Sequence, residues 1–199
     1  MTYAGPLLGS NKSNTRASHK HDIRMKLSPQ LERLWDQTPF LGDRKFKIEM
    51  RPKYWRDTEQ ALRDWLANNF EIGNIGFVPL VTERLALHCS LNILFLRPGI
   101  SGQIISGGDI DNRLKTLFDA LRRPIDKQEL AGATPESTGG RVYCLLEDDS
   151  LINNVSVETG DLLEPVDGNF DANKVRLVIT VDVLPSSTSW DNIDFLSSP

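Results

Sequence analysis

The most restrictive feature of this sequence is a long alternation of apolar and polar residues from Leu85 to Leu96. Its apolar positions are Leu85, Leu87, Cys89, Leu91, Ile93 and Phe95. Because successive side chains of a strand point to opposite faces of a sheet, this pattern predicts a long strand that is buried on one side. A similar alternation from Val175 to Val183 predicts a second strand of the same kind. Shorter strands are expected at Lys45–Met50, Arg141–Leu146 and Val155–Glu158.

Helical periodicity appears between the predicted strands. Ser28-Pro29 places a cap residue before a first-turn proline, and apolar residues then repeat at helical spacing as far as Asp36. A second helix is expected to start at Asp57, which has Gln60 three residues further on, as in a capping box. Strands and helices in this order predict an α+β fold, in which a mixed sheet is flanked by helices.

The chain is long enough for one domain with extended ends. Its 199 residues, 39% of them hydrophobic, can bury one good core. Residues 1–27 are polar and basic and predict a flexible arm, in which His19 and His21 are expected to be solvated rather than metal ligands. Residues 28–185 would form the domain. Residues 186–199 form an acidic tail with aromatic residues, which could dock on this domain or on a protein partner.

Charge is distributed unevenly along the chain. Residues 1–56 carry 12 Lys or Arg against 5 Asp or Glu, whereas residues 57–199 carry 11 against 22. A basic segment can neutralise nucleic-acid phosphates, although such a segment can equally be solvated surface. The sequence shows no long apolar run that predicts a membrane span. Cys89 and Cys144 lie in apolar runs, so we expect two reduced thiols in a cytoplasmic protein.

Two carboxylates, one residue apart, open a strongly amphipathic helix. Asp109 and Asp111 follow a connection rich in Gly and Ser and precede an apolar stripe at helical spacing. Two like charges at a helix start repel unless a cation, free backbone N–H groups or water relieves them. A hard cation such as Mg²⁺ prefers oxygen ligands, and a third carboxylate could come from Asp148 or Asp149.

This set of residues would support phosphodiester cleavage. A bound metal could supply a hydroxide-like nucleophile, while Lys115, one helical turn beyond Asp111, could meet a phosphate oxygen. Each residue also has a structural interpretation. Asp111 could cap the helix, Lys115 could pair with Asp119, and residues 147–150 could form a turn. The residues taken alone leave both interpretations open.

Basic residues near aromatic ones could contact a nucleic-acid backbone. Such a mixture follows the predicted strand Lys45–Met50, where it suits phosphate contacts and equally suits a corner of helix packing. Further arginines lie off the apolar stripe of the acidic helix. The predicted DNA contacts are Lys53, Arg56, Arg113, Arg122 and Arg123.

Three short motifs resemble those of one enzyme family. They are Asp109-Ile110-Asp111-Asn112-Arg113-Leu114-Lys115, then Leu117-Phe118-Asp119-Ala120-Leu121, and later Glu147-Asp148-Asp149. They are similar to the Asp-x-Asp-Asn-x-x-Lys, Phe-Asp-Ala-Leu and Asp-Asp motifs of the RusA-type Holliday junction resolvases. The resemblance covers residues 85–184 and departs from the family in a longer insertion, the loop 124–140. It implies a dimeric, Mg²⁺-dependent endodeoxyribonuclease that resolves four-way junctions in DNA recombination and repair.

The resemblance also implies roles for single residues. The essential carboxylates would be Asp109, Asp111 and Asp149, with Lys115 as the catalytic lysine and Asp148 as a further ligand. Mg²⁺ would be the cofactor, with Mn²⁺ as a substitute. Two other functions stay open: a non-catalytic DNA-binding or protein-interaction module in a larger complex, and a metal-dependent enzyme that cleaves RNA or another phosphodiester.

Overall fold

The structure is a computed structural model that describes residues 1–9, 16–42, 45–50, 54–98, 109–168, 171–189 and 192–196. Its strands are β1 (Thr2–Pro6), β2 (Lys45–Met50), β3 (Tyr54–Ala61), β4 (Glu71–Ile72), β5 (Ile75–Val81), β6 (Leu87–Arg97), β7 (Arg141–Leu146), β8 (Ile152–Asp161) and β9 (Lys174–Pro185). Its α-helices are α1 (Ala17–Gln37), α2 (Pro39–Gly42), α3 (Leu62–Asn69), α4 (Asp109–Leu121) and α5 (Pro135–Thr138).

The largest sheet has four strands in the order β1-β9-β6-β8. β9 is antiparallel to both of its neighbours, whereas β8 is parallel to β6. The predicted alternation is confirmed in β6, which buries Leu87, Cys89, Leu91, Ile93 and Phe95 on one face. β9 buries its first half in the same way. The opposite face of this sheet carries the exposed and half-exposed side chains.

A second mixed sheet has the order β4-β5-β7, with β5 parallel to β7 and buried along its whole length. β2 and β3 form a separate antiparallel hairpin that contacts α3. Buried side chains from α1, α3, α4 and both mixed sheets share one main hydrophobic core. The predicted α+β class in a single domain is therefore confirmed, although the structure has two mixed sheets where the sequence predicted one.

The beginning of the chain differs from the prediction of a flexible arm. Residues 2–6 pair with β9 as β1, and residues 17–27 form the first half of α1. The helix begins well before Ser28, because Ile23 and Leu27 extend the buried stripe that continues through the predicted helix. Ser28 is buried inside α1, where its hydroxyl accepts a hydrogen bond from the Tyr143 backbone N–H at 2.8 Å.

The second predicted helix also begins later than expected. Residues 54–61 form β3 and pair with β2, so α3 starts at Leu62 and not at Asp57. Tyr54 and Trp55, at the start of this segment, are residue types that favour strands. The predicted loop 124–140 contains a 3-10 turn at Lys127–Leu130 and the short helix α5.

The described part of the tail docks on its own domain. A 3-10 turn spans Ile193–Leu196, and Asn192 before it is fully buried. The Asn192 amide donates to the carbonyl oxygens of Leu85 at 2.8 Å and Ser187 at 2.7 Å. The ring of Phe195 packs edge-on against Phe40. Residues 186–189 and 192–196 of the tail therefore lie on the domain, while a protein partner for the tail stays a prediction.

Both cysteines are buried free thiols, as the sequence predicted. Burial raises the pKa of each thiol, Cys89 and Cys144, to about 11, so both are neutral thiols at physiological pH. None of the helices in the described residues has the length and apolar character needed to cross a membrane.

Candidate functional site

The predicted acidic helix is confirmed as α4, which starts at Asp109. Near its start, Gly9 packs against Asn112, and the Arg113 guanidinium donates to the carbonyl oxygen of Ala172 at 3.0 Å. Ala172 lies two residues before β9, at the end of the large sheet where β6 finishes. α4 therefore begins at that end of the sheet and runs back along it.

The other end of α4 lies beside the end of β7. The Arg123 backbone N–H donates to the carbonyl oxygen of Leu146 at 2.9 Å. Arg122 and Leu146 also form an isolated parallel β-bridge through their backbones. The acidic triplet follows Leu146 directly. Strand β8, which comes next, starts by pairing Ile152 with Cys89 near the beginning of β6. The two acidic motifs thus lie at opposite ends of the large sheet.

An exposed ion pair marks the first turn of α4. Lys115 Nζ lies 2.8 Å from Asp111 Oδ2, and the two side chains are 59% and 70% exposed. An exposed pair with this spacing stabilises a helix by only about 0.3–0.5 kcal/mol. Asp119, the alternative partner for Lys115, instead contacts Lys20 at 2.7 Å. Asp111 and Lys115 are therefore accessible to a ligand and have little part in holding the fold together.

The acidic triplet forms a turn, as the structural interpretation proposed. The Asp148 carboxylate accepts a hydrogen bond from the Ser150 backbone N–H at 3.0 Å and caps the 3-10 turn Asp149–Leu151. Hydrogen bonds to Ser150 lower the pKa of Asp148. Glu147 accepts from the Glu83 backbone N–H at 3.0 Å, while burial raises the pKa of its carboxyl group. Asp149 is exposed.

The structure does not bring Asp149 to the start of α4. The charge of Asp149 acts on Arg122, which directly follows the helix. Leu121 lies ten residues beyond Asp111, a separation of roughly 15 Å along a helix that rises about 1.5 Å per residue. Since the ligand oxygens of one Mg²⁺ ion all lie about 2 Å from it, Asp111 and Asp149 of one chain do not share an ion in this arrangement. The same holds for Asp148 in the adjoining turn.

Two of the predicted DNA contacts, Arg113 and Arg122, are buried in the fold, which does not favour their assignment. The Arg122 guanidinium binds both carboxylate oxygens of Glu129, at 2.8 and 3.0 Å. Arg113 is buried with its bond to Ala172. In this arrangement both guanidinium groups are held by neighbouring segments of the same domain. Such bidentate and carbonyl contacts depend on the tertiary fold, whereas the sequence showed only that these arginines lie off the apolar stripe.

The other predicted contacts lie elsewhere in the fold. Arg123 is half-buried, with its guanidinium over the ring of Phe70 at 4.5 Å and a hydrogen bond to the carbonyl oxygen of Pro124. Arg56 lies on β3 of the hairpin. Lys53 lies outside the described residues.

A buried arginine that the sequence did not single out holds the end of α4. Arg24 of α1 donates to the carbonyl oxygens of Arg122 at 3.0 Å and Asp119 at 2.9 Å. Burial lowers the pKa of this guanidinium, although an arginine stays charged in proteins. A cation is favoured at the negative end of a helix. The sequence contains one signal for this role of Arg24. Lys20 and Arg24 are four residues apart, which places two cations on the same side of α1.

The described residues contain no group of three or more His, Cys, Asp or Glu side chains arranged to hold a metal ion. His19 is engaged locally, since its Nε2 accepts a hydrogen bond from the Leu8 backbone N–H at 3.2 Å. The candidate ligands are therefore the carboxylates that the sequence places at the start of α4, Asp109 and Asp111.

Comparison of the chain with protein-family models, with curated proteins and with solved structures finds no match. The resemblance to the RusA-type resolvases therefore depends on its three motifs alone.

Proposed function

We propose that this protein is a metal-dependent endonuclease that hydrolyses phosphodiester bonds in branched or structured DNA during recombination or repair. The active site would lie at the start of α4. The observation that supports this proposal best is the exposed pair of Asp111 and Lys115, with Asp109 as the first residue of the helix. A carboxylate and an ammonium group that are in contact, open to solvent and of little importance for stability are suited to a role with a ligand.

The chemistry of this end of α4 fits a divalent cation. Mg²⁺ usually takes one or two carboxylates, together with waters and substrate phosphate oxygens. Asp109 and Asp111 would supply that number of carboxylates without Asp149. When bound, the metal would activate a water molecule and stabilise the negative charge that develops on the phosphate. Mn²⁺, which also accepts oxygen ligands, would serve as a substitute.

Lys115 would have two roles in this site. In the free protein its ammonium group neutralises Asp111 at 2.8 Å and holds the carboxylate on the exposed side of the first turn. When DNA binds, the same ammonium group can move to a phosphate oxygen, since both partners are solvent-exposed and the side chain is flexible. The essential role that the resemblance implies for Asp149 stays a prediction, and the metal site proposed at the start of α4 does not depend on it.

The hairpin of β2 and β3 would supply contacts to the DNA backbone. Residues 44–56 contain six basic residues and one acidic residue. The basic ones are Arg44, Lys45, Lys47, Arg51, Lys53 and Arg56. A two-stranded ribbon of this kind fits the major groove, and its cations can neutralise phosphates independently of base sequence. A twofold dimer would present two such sites to the two symmetric strands of a junction.

Cleavage of a labelled four-way junction by the purified protein with Mg²⁺ tests this proposal. We expect Asp111→Asn to reduce the cleavage rate roughly 100-fold or more, as loss of a group that stabilises a transition state typically does. Its thermal melting should match that of the wild type. Glu158→Gln, at an exposed position of β8, is the matched control and should cleave normally. Absence of cleavage by the wild type with Mg²⁺ or Mn²⁺ would reject the nuclease.

A substrate panel separates the classes of nuclease. Junction, linear duplex, single-stranded DNA and structured RNA of the same length would be compared under the same conditions. Preference for the junction by at least tenfold supports the proposed substrate. Preference for RNA would instead support the third function that the sequence left open.

A second candidate function is a non-catalytic DNA-binding or protein-interaction module. It is favoured by one finding: the described residues form no cluster of three metal ligands. Calorimetric titration with Mn²⁺, in the presence of junction DNA, separates the two functions. A module would bind DNA without taking up the metal, whereas the nuclease would bind both.

A further inference from the structure

Arg113 is a buried cation in the first half of α4. Its guanidinium donates to the Ala172 carbonyl oxygen at 3.0 Å and makes a longer contact, 3.5 Å, with Asn173 Oδ1. Both acceptors belong to the turn before β9. A guanidinium is a rigid planar fork, so its hydrogen bonds fix direction as well as distance. Arg113 thus attaches the first half of α4 to this turn.

The turn that accepts these bonds is itself tied to the large sheet. The Asp171 carboxylate accepts from the Asn173 backbone N–H at 2.8 Å, and the Asp171 carbonyl oxygen accepts from the Lys174 N–H at 2.9 Å. The Asn173 carbonyl oxygen accepts from the Leu7 N–H at 2.8 Å, directly after β1. Lys174 is the first residue of β9. The turn therefore has a fixed position on the sheet, and its bonds to α4 transmit that position to the helix.

Apolar packing holds the second half of α4 more firmly than the first. Leu117, Ala120 and Leu121 belong to the main hydrophobic core, and at most 1% of each residue is exposed. Ile110 follows the first residue of the helix and is buried outside this core. The core therefore fixes the end of α4, whereas the hydrogen bonds of Arg113 fix its start.

Arg113 and the exposed ion pair lie on opposite sides of the helix. Each residue of an α-helix is turned by about 100° relative to the residue before it, so positions two apart differ by about 200°. Asp111 and Lys115 each lie two positions from Arg113. Their side chains are exposed, whereas Arg113 is only 6% exposed. The inward attachment of Arg113 therefore fixes the rotation of the helix that presents Asp111 and Lys115 to solvent.

We infer that Arg113 is a positioning residue of the proposed metal site and acts through Asp111 and Lys115. It holds the start of α4 in the rotation and position on the sheet at which Asp111 can bind Mg²⁺ and Lys115 can meet a phosphate oxygen. The inference rests on the proposed function. It gives the buried arginine a role at this site that needs no contact with the metal or with DNA. Loss of a residue that orients a metal ligand typically weakens metal binding roughly 10–100-fold.

Titration of Mn²⁺ into the 199-residue chain with junction DNA measures this role without relying on cleavage. Arg113→Met removes the hydrogen bonds and keeps an unbranched apolar side chain, and we expect it to weaken Mn²⁺ binding at least tenfold. Arg113→Lys keeps a cation and one donor for the Ala172 carbonyl oxygen, so it should lose about threefold. Each titration is made well below the melting temperature of the variant.

Arg24→Met is the matched control, because Arg24 is a buried arginine that binds carbonyl oxygens at the other end of α4. It should lower the melting temperature and keep the Mn²⁺ affinity within twofold of the wild type. This control separates a general loss of stability from a loss of position at the metal site.

Amide hydrogen exchange without metal locates the effect in the helix. In Arg113→Met, exchange at the Lys115 amide should accelerate at least tenfold more than exchange at the Leu121 amide, because only the start of α4 loses its attachment. Equal acceleration at the two amides would contradict a local role.

The outcomes distinguish this inference from the proposed function. Mn²⁺ affinities of both Arg113 variants within twofold of the wild type, or an equal loss in Arg24→Met, would overturn the positioning role and leave the nuclease intact. If Arg113→Met does not fold, Arg113→Lys decides alone by the same limit. A wild type that takes up no Mn²⁺ would instead reject the proposed function and this inference with it.

Discussion

The Lys115 ammonium group lies 2.8 Å from the Asp111 carboxylate on the exposed first turn of α4. The next acidic residue on this side of the helix, Asp119, is instead drawn to Lys20 of α1. One carboxylate of α4 thus joins the packing of two helices while the other stays open to solvent. The end of α4 that contains Asp119 is therefore structural, whereas its start, which contains Asp111, is accessible to a ligand.

Arg24 should contribute strongly to the stability of the fold. Arg24→Met removes two hydrogen bonds to the carbonyl oxygens at the end of α4 and leaves those oxygens buried without these donors. We expect a loss of about 2–4 kcal/mol in the free energy of unfolding, measured in urea. Arg33→Met, on the exposed side of the same helix, should change it by less than about 0.5 kcal/mol. Equal stabilities of the two variants would contradict the capping role.

The ion pair of Glu129 and Arg122 should make the free energy of unfolding decrease as the pH falls into the acid range. Burial alone would raise the pKa of Glu129, but its hydrogen bonds and the charge of Arg122 outweigh burial and lower it. A carboxylate with a lowered folded-state pKa stabilises the protein above its unfolded pKa, which is about 4.3, and this contribution disappears as the pH falls through the folded value. Unfolding measured from pH 7 to pH 3 should show this loss, and Glu129→Gln should weaken it.

Glu147 should behave in the opposite way. Its pKa is raised by burial, so its charged form is less favourable in the folded protein than in the unfolded chain. Its stabilising contribution is present below the unfolded pKa and is lost as the pH rises. Glu147→Gln, which keeps an acceptor for the Glu83 N–H, should therefore raise the melting temperature at pH 7 and lose that advantage at pH 3. A lower melting temperature at pH 7 would contradict this account.

The hydrogen bonds of Asn192 should stabilise the packing of the C-terminal tail on the domain. Asn192→Ala removes its bonds to Leu85 and Ser187 and leaves the Leu85 carbonyl oxygen buried without this donor. We expect a loss of about 1–3 kcal/mol in stability, together with faster amide exchange at Phe195. Asn153→Ala, at an exposed position of β8, is the matched control and should leave both unchanged.

The basic hairpin and the buried arginines should respond differently to substitution. Arg56→Gln should weaken DNA binding equally for all sequences and reduce the slope of log affinity against log salt by about one. Arg122→Gln should instead lower the melting temperature, because it breaks the bidentate pair with Glu129. Fluorescence anisotropy at several salt concentrations, combined with thermal melting, measures both effects. A salt slope unaffected by Arg56→Gln would remove the hairpin from the DNA interface.

Helices and strands with a regular periodicity of hydrophobic residues were predictable from the sequence. The alternation in β6 and β9 and the stripe of α4 depend on local burial, which periodicity reports directly. The first half of α1 was missed because His, Lys and Ser surround Ile23 there and obscure its helical period. Arg24 was missed because its acceptors belong to a helix almost a hundred residues away in the chain.

The candidate site was predictable only in part. The sequence placed two carboxylates and a lysine at a helix start, and that helix start is confirmed. The motif spacing contains no information on the direction of α4 relative to the sheet. That direction, together with the contact between Arg123 and Leu146, places Asp149 at the far end of the helix.

Titration of Mn²⁺ into a complex with junction DNA tests the location of the site most directly. The wild type and Asp149→Asn should bind the metal with similar affinity, whereas Asp111→Asn should bind it at least tenfold more weakly. A wild type that takes up no metal, or a loss of binding in Asp149→Asn with binding retained in Asp111→Asn, would contradict a metal site at the start of α4.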